Sequence, residues 1–501
     1  MRFRVGLILA CVVGAVGNTS AGADDIGAAA RGVVRVIAVA EGYSDADSGS
    51  ISFGSGFAVS PHHIITNAHV VEDVENTYGD SIVAVVPSEG SRALHGTVIA
   101  YDRARDLAII DVGPARLEPL AIYSGPVESG EHAAALGYPG NVDMATANSM
   151  YDLITPSAPV RSEGTISSKR NVEGTPAYLH TAAISRGNSG GPLVDDCGRV
   201  LGVNTYTTVT DSGDAPFGFA MVSQDLMSFL REHGEQFQQV GSACATMAEL
   251  AQREQQAREA ADRRQAIADQ RAAYQQQQRV DSAKAAAEDS RQNHAAAAAL
   301  LAVFALIAGA IAAALFLKDR TRAAAASAGL AAVGLVGGAY AFFSRPGLDV
   351  QVPQLTAPAS AAAAPLTGKL LCRVQPELSR VTVSSTDDLP IEWDANGCMN
   401  GKTQYLQEDG KWRRVLVPNG SETVYVQDFD PAKGEYVSTR YLLSQAEMDQ
   451  LRQIRGGTET KSCSSDPYAA QQLQQVTDRL VRSLPATPNE RLVYHCTIQP
   501  N

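Results

Sequence analysis

Two uncharged stretches divide this chain, "AAAAALLAVFALIAGAIAAALFL" at 295–317 and "AAAASAGLAAVGLVGGAYAFFS" at 323–344. They hold 23 and 22 residues, enough for each to cross a bilayer as a helix. The five residues between them, "KDRTR" at 318–322, carry Lys318, Arg320 and Arg322. Positive loops stay cytoplasmic, so the pair reads as a membrane hairpin whose two flanks share the opposite side. Both stretches are rich in Ala and Gly, which lets two helices approach closely. A buried pair of soluble helices is the alternative.

The N-terminus agrees with export. Arg2 and Arg4 precede a twelve-residue apolar run at 5–16, and "AGA" at 21–23 ends in small residues before Asp24. That is the layout of a cleaved signal peptide, 1–23. "ILAC" at 8–11 is a weaker lipoprotein-like reading. Past residue 23 six cysteines remain: Cys197, Cys244, Cys372, Cys398, Cys463 and Cys496. An even number in an exported chain points to disulfides. No two are spaced CxxC, which disfavours zinc. A net charge of −13 disfavours nucleic acid, whose phosphates need a basic surface.

The outer segments differ in texture. Residues 24–240 alternate short apolar runs ("VVRVIAV", "SIVAVV", "LAIIDV") with Gly, Pro, Asn and Asp, the pattern of an all-β barrel or sandwich. "SQDLMSFLREHG" at 223–234 reads as a closing helix with Ser223 as its N-cap. Residues 245–294 contain Glu249/Arg253, Glu254/Arg258 and Glu259/Arg263 and no Gly or Pro. Such i,i+4 pairs support a helix, here a solvated stalk or weak coiled coil about 75 Å long if continuous. A self-associating stalk would make a homo-oligomer; a disordered linker is the other reading. Residues 349–368 form a Pro/Ala linker. Residues 369–501 read as a small α+β domain with a hairpin turning at Asp409-Gly410 and a capping box at Ser444 and Glu447. Its four cysteines allow three pairings, of which Cys372–Cys496 with Cys398–Cys463 is the expectation. Cys197 and Cys244 are expected to bridge, with two free thiols as the alternative.

The chemistry concentrates in "SRGNSGGPLV" at 185–194. A serine hydroxyl is a weak nucleophile and needs a base, a carboxylate to orient that base, and donors for an oxyanion. The glycines around Ser189 allow a tight turn that presents the N–H groups of Gly187 and Ser189. "TNAHVV" offers His69 as the base, at the end of an expected strand 64–66 and after a turn at Asn67-Ala68. His62 and His63 belong to a surface turn. Asp106, directly before the apolar "LAII", is the carboxylate; Asp102 lies among arginines and Asp111 ends the strand. The order His, Asp, Ser is that of chymotrypsin-like double barrels.

With these residues in hand, "SGFAVSPHHIITNAHVV", "DLAIIDV", "LGYPG", "GNSGGPLV" and "GFAMVS" resemble the trypsin-like serine peptidases of the HtrA/Deg type. The resemblance covers about residues 30–235. It implies two perpendicular barrels with His69, Asp106 and Ser189 in the cleft. It implies a specificity strand at 201–206, with Val203, Asn204 and Thr205 binding substrate, and small aliphatic residues before the cut bond. Two departures stand out. Thr181 replaces a common acidic residue and Arg186 a frequent proline, and nothing in 369–501 matches a PDZ domain.

The expected molecule is thus a membrane-tethered endopeptidase acting on polypeptides. It needs neither metal nor organic cofactor. It would sit in a bacterial inner membrane with both folded parts in the periplasm. A non-cleaving scaffold on the same fold, or a protease dedicated to one signalling partner, are the alternatives.

Overall fold

The computed structural model describes residues 24–40, 50–75, 81–172, 174–208, 216–345, 347, 365–408, 410–457, 463 and 466–499. The expected signal peptide, most of the Pro/Ala linker and Asp409 lie outside them. The chain forms two compact units, one built from residues up to Glu254 and from Ala364 onward, the other from Gln255–Ala363.

The first unit opens with helix α1 (Asp25–Ala30) and strands β1 (Val33–Ala40), β2 (Ser50–Ala58) and β3 (His63–Thr66). Helix α2 (Ala68–Glu75) and strands β4 (Ser81–Pro87), β5 (Leu94–Asp102) and β6 (Leu107–Asp111) follow. The six strands close a barrel in the order β1-β2-β3-β6-β5-β4. Val34, Val36, Ile64, Val85 and Ile110 fill it, each wholly buried. Each such side chain contributes roughly 1.5–3 kcal/mol.

The second barrel uses β7 (Ile122–Tyr123), β8 (His132–Gly137), β9 (Val160–Val172), β10 (Thr175–His180), β11 (Pro192–Val194), β12 (Val200–Thr207) and β13 (Gly218–Val222). Helices α3 (Gly140–Thr146) and α4 (Met150–Ile154) interrupt it after β8. Pairing runs β8-β9-β10-β13-β12-β11, and β11 pairs back onto β8, closing six strands. β7 and then β14 (Gln239–Val240) extend β12 in parallel. This is the chymotrypsin-like double barrel. Helix α5 (Ser223–Glu232) follows β13. Val222, not Ser223, is its N-cap; the Ser223 hydroxyl donates instead to the Tyr123 carbonyl at 2.7 Å. The Cys197–Cys244 bridge ties the segment beyond α5 to the turn after β11.

Residues from 364 onward belong to this same unit. They form a nine-stranded antiparallel sheet whose middle pairs Gly368–Val374 with Glu490–Ile498, backed by helices Gln445–Arg455 and Pro467–Ser483. Ser444 and Glu447 make the expected capping box. Bridges join Cys372 to Cys496, directly opposite in register, and Cys398 to Cys463. Trp393, Phe429, Tyr436 and Tyr494 form its aromatic core, and Ala121 and Val240 of the barrel side join that cluster. A polar knot lies beside it. Arg380 pairs with Asp25 of α1, donates to the Ala245 carbonyl at 2.7 Å and bonds the Asn489 carbonyl. The Asn489 amide returns to Asp25 at 2.7 Å. Asp25, Arg380 and Asn489 are all buried.

The expected stalk and first span are one continuous helix, α6 (Met247–Leu317), which enters the second unit at Gln255 and is followed there by α7 (Thr321–Phe343). Nothing in 245–317 breaks a helix, so the compositional change at residue 295 leaves no boundary. Glu259 and Arg263 pair at 3.2 Å. Both helices are long and apolar enough to cross a membrane. A Cβ at Gly334 would lie 3.1 Å from the Ala305 Cβ, so the small residues do set how closely α7 meets α6.

Candidate active site

His69 is the second residue of α2, which starts directly after β3 and Asn67. It was expected at a strand end; the chain turns into helix one residue earlier. Asp106 sits in the β5–β6 turn at φ 53°, a left-handed conformation that Asp tolerates better than most residues. That backbone turn aims its carboxylate at His69. Nδ1 of His69 lies 2.9 Å from Asp106 Oδ2 and 3.0 Å from Oδ1, and the His69 backbone N–H donates to Oδ1 at 3.0 Å. Nδ1 is therefore the protonated nitrogen, and Nε2 is left as the basic one. Asn67 donates to the Asp106 carbonyl at 2.8 Å, which holds the turn.

Asp102 and Asp111 are used locally. Asp102 accepts from Ala104 and Arg105 N–H, and Asp111 from Gly113 N–H. His62 bonds the Ala115 carbonyl, and His63, the first residue of β3, faces Glu235 at 2.5 Å.

Ser189 stands between two glycines with positive φ, Gly187 at 98° and Gly190 at 85°. A Cβ on Gly187 would lie 2.4 Å from the Tyr138 carbonyl oxygen, and one on Gly190 would lie 2.2 Å from that of Ser55. Only glycine fits either place. Ser55 clamps the loop from β2: its N–H donates to the Ser189 carbonyl at 2.8 Å and its hydroxyl to the Gly187 carbonyl at 2.6 Å. The Arg186 carbonyl accepts from Gly140 N–H at 2.7 Å. Among the described residues the N–H groups of Gly187 and Ser189 donate to no protein acceptor.

The Ser189 hydroxyl donates to the Thr205 carbonyl at 2.9 Å; among the described residues no hydrogen bond links it to His69. Thr205 contributes twice, because its hydroxyl also donates to Asp106 Oδ2 at 2.6 Å. Val203 and Asn204 are wholly buried. Asn204 gives its backbone to Gly190 and Gly191 and its amide to the Pro192 carbonyl. The sequence singled out β12 but held no sign of the Thr205–Asp106 contact or of Ser55, because neither pairing is local. Thr181, where an acid was common, bonds Thr165 N–H at 2.9 Å instead.

His180, at the end of β10, is fully buried with its ring against Gly218, where a Cβ would lie 2.3 Å from Cε1. Burial pushes its imidazole down from the usual 6.5 to about 4. Between those values the unfolded chain takes up a proton that the folded one refuses. Stability is therefore full above pH 6.5 and falls as pH drops towards 4, by about 3 kcal/mol. Denaturant midpoints at pH 7.5 and 5.0, compared with those of His180→Gln, read this. Equal pH slopes in both proteins would refute it.

The model of the trypsin-like peptidase domain matches residues 54–203. Serine protease Rv3671c of Mycobacterium tuberculosis is 33% identical over 188 residues, 36% of this chain and 42% of that protein. The magnetosome formation protease MamE of Magnetospirillum gryphiswaldense is 31% identical over 187 residues, 36% of this chain and 22% of that one. The periplasmic serine endoprotease DegP of Salmonella typhimurium is 28% identical over 193 residues, 37% of each. The crystal structure of the Rv3671c protease in its active form is 26% identical, covering 43% of this chain and 86% of that one, with a TM-score of 0.34. The chain spans less than half the length of these curated relatives. Residues 54–203 are a trypsin-like peptidase domain, with relatives among the DegP-like serine proteases.

Proposed function

We propose that the chain is a membrane-tethered serine endopeptidase that cuts exported polypeptides through an acyl-enzyme. The observation that carries this is the His69–Asp106 contact on Nδ1, set beside a serine whose loop keeps two N–H groups unspent. Ser189 leaves the Thr205 carbonyl and donates to His69 Nε2. Its oxygen attacks the scissile carbonyl while His69 takes the proton. The oxyanion accepts from the Gly187 and Ser189 N–H groups. Asp106 holds the imidazolium in place, and His69 returns the proton to the leaving amine. Water then repeats the sequence on the acyl-enzyme. No step calls for a metal or organic cofactor. Helices α6 and α7 support a tether, and Lys318, Arg320 and Arg322 support a cytoplasmic turn between them, with the folded unit outside the cytosol.

The test is labelling of the full chain in detergent with a fluorophosphonate probe, which reacts only with an activated serine. Wild type is expected to label, and Ser189→Ala to label not at all and to lose on the order of 10⁵-fold in peptide hydrolysis. A folded wild type that never labels would favour a non-cleaving scaffold.

A further inference from the structure

A cavity of about 1000 Å³ opens between β2 and the paired helices α3 and α4. Ile51, Phe53, Met144, Met150 and Leu153 line it, and so does Gly187. Ile51, Phe53, Met144 and Met150 are all exposed, Met144 to 83%. A concave pocket lined mainly by apolar side chains with a few polar groups is the usual form of a binding site.

The wall is held, not loose. Arg35 is buried in β1 although strand neighbours on both sides are aliphatic. Its guanidinium donates to Asp143 of α3 at 2.7 Å and to the Leu153 carbonyl of α4 at 2.7 Å, and lies 4.5 Å from the Tyr138 ring centre. The Tyr138 hydroxyl donates to the Ser157 carbonyl at 2.8 Å. One buried cation thus fixes both helices to the first barrel. It also neutralises Asp143, so Arg186 is the charge left on the rim.

Gly187, whose amide is one of the two proposed oxyanion donors, lines the cavity. None of its lining residues comes from β12, the strand expected to hold the substrate before the cut bond. It therefore continues the site on the other side of Ser189. Resting on the peptidase reading above, we propose that this cavity binds the residues just after the scissile bond and selects a large apolar side chain there, with Arg35 as a positioning residue. Arg186 on the rim disfavours lysine and arginine at the same place.

The experiment uses the full chain and quenched-fluorescence peptides that share one acyl side and differ only in the three residues after the cut. Leu or Phe is expected to exceed Ser by about 10- to 100-fold in kcat/KM, with Lys lowest. In Phe53→Ser and, separately, Met150→Asp, this ratio falls to within about twofold, read on protein that still reacts with the fluorophosphonate. Arg35→Met is expected to lower it as well, through KM more than kcat. A wild type that labels and cuts yet ignores these residues would overturn the inference alone. So would a preference that survives both wall variants. A wild type that neither labels nor cuts overturns the peptidase reading and this inference with it.

Discussion

Asp106→Asn should lower kcat by about 10⁴-fold with little change in stability. Asparagine tolerates the positive φ at 106 as aspartate does, so the β5–β6 turn survives. The carboxylate, however, accepts from three donors: the backbone and Nδ1 of His69 and the Thr205 hydroxyl. An amide has one oxygen to offer. Its NH2 group, if turned to His69, needs a bare Nδ1 and so forces the proton onto Nε2. His69, the proposed base, then carries a proton where it must accept one. Steady-state kinetics paired with a thermal melt separate the effects. Activity within tenfold of wild type would mean that Asp106 does not set the His69 tautomer.

Arg380→Met should cost about 3–5 kcal/mol. The loss is large because three partners are stranded at once. Asp25 keeps a buried charge, and the carbonyls of Ala245 and Asn489 lose their donor. Set against a total of roughly 5–15 kcal/mol, that is enough to loosen the contact between α1 and the C-terminal sheet. Denaturant unfolding measures the cost, and limited proteolysis should release the C-terminal part earlier than in wild type. Pairing the change with Asp25→Leu removes the stranded charge and should restore part of the stability. A loss below 1 kcal/mol for Arg380→Met alone would show that water already satisfies Asp25.

These two sites differ in how far the sequence revealed them. His69, Asp106 and Ser189 each sit within a local pattern: a strand running into a histidine, an acid before an apolar run, a serine among glycines. Patterns of that size survive in a single sequence. The Arg380–Asp25 pair spans 355 positions, and nothing near either residue announces the other. Nothing local therefore tells that the C-terminal sheet and the barrels belong to one compact unit. Helices α3 and α4 were missed for a different reason. They hold seven and five residues with none buried, too short for any apolar period to develop. Their anchor, Arg35, lies hidden inside "VVRVIAV", where it looks like a break in a strand.

The compact unit that ends at Glu254 is entered again at Ala364, so the intervening segment is a loop in the topological sense, with both feet on one body. A body of that kind cannot straddle a bilayer, and a curve that leaves one side of a sheet and returns to it crosses an even number of times. Under the proposed tether, the two helices α6 and α7 satisfy that parity; one or three would not. If the proposed tether holds, deleting either helix alone would set insertion against folding, since the C-terminal strands would arrive on the wrong side of the membrane from the α1 helix they must meet.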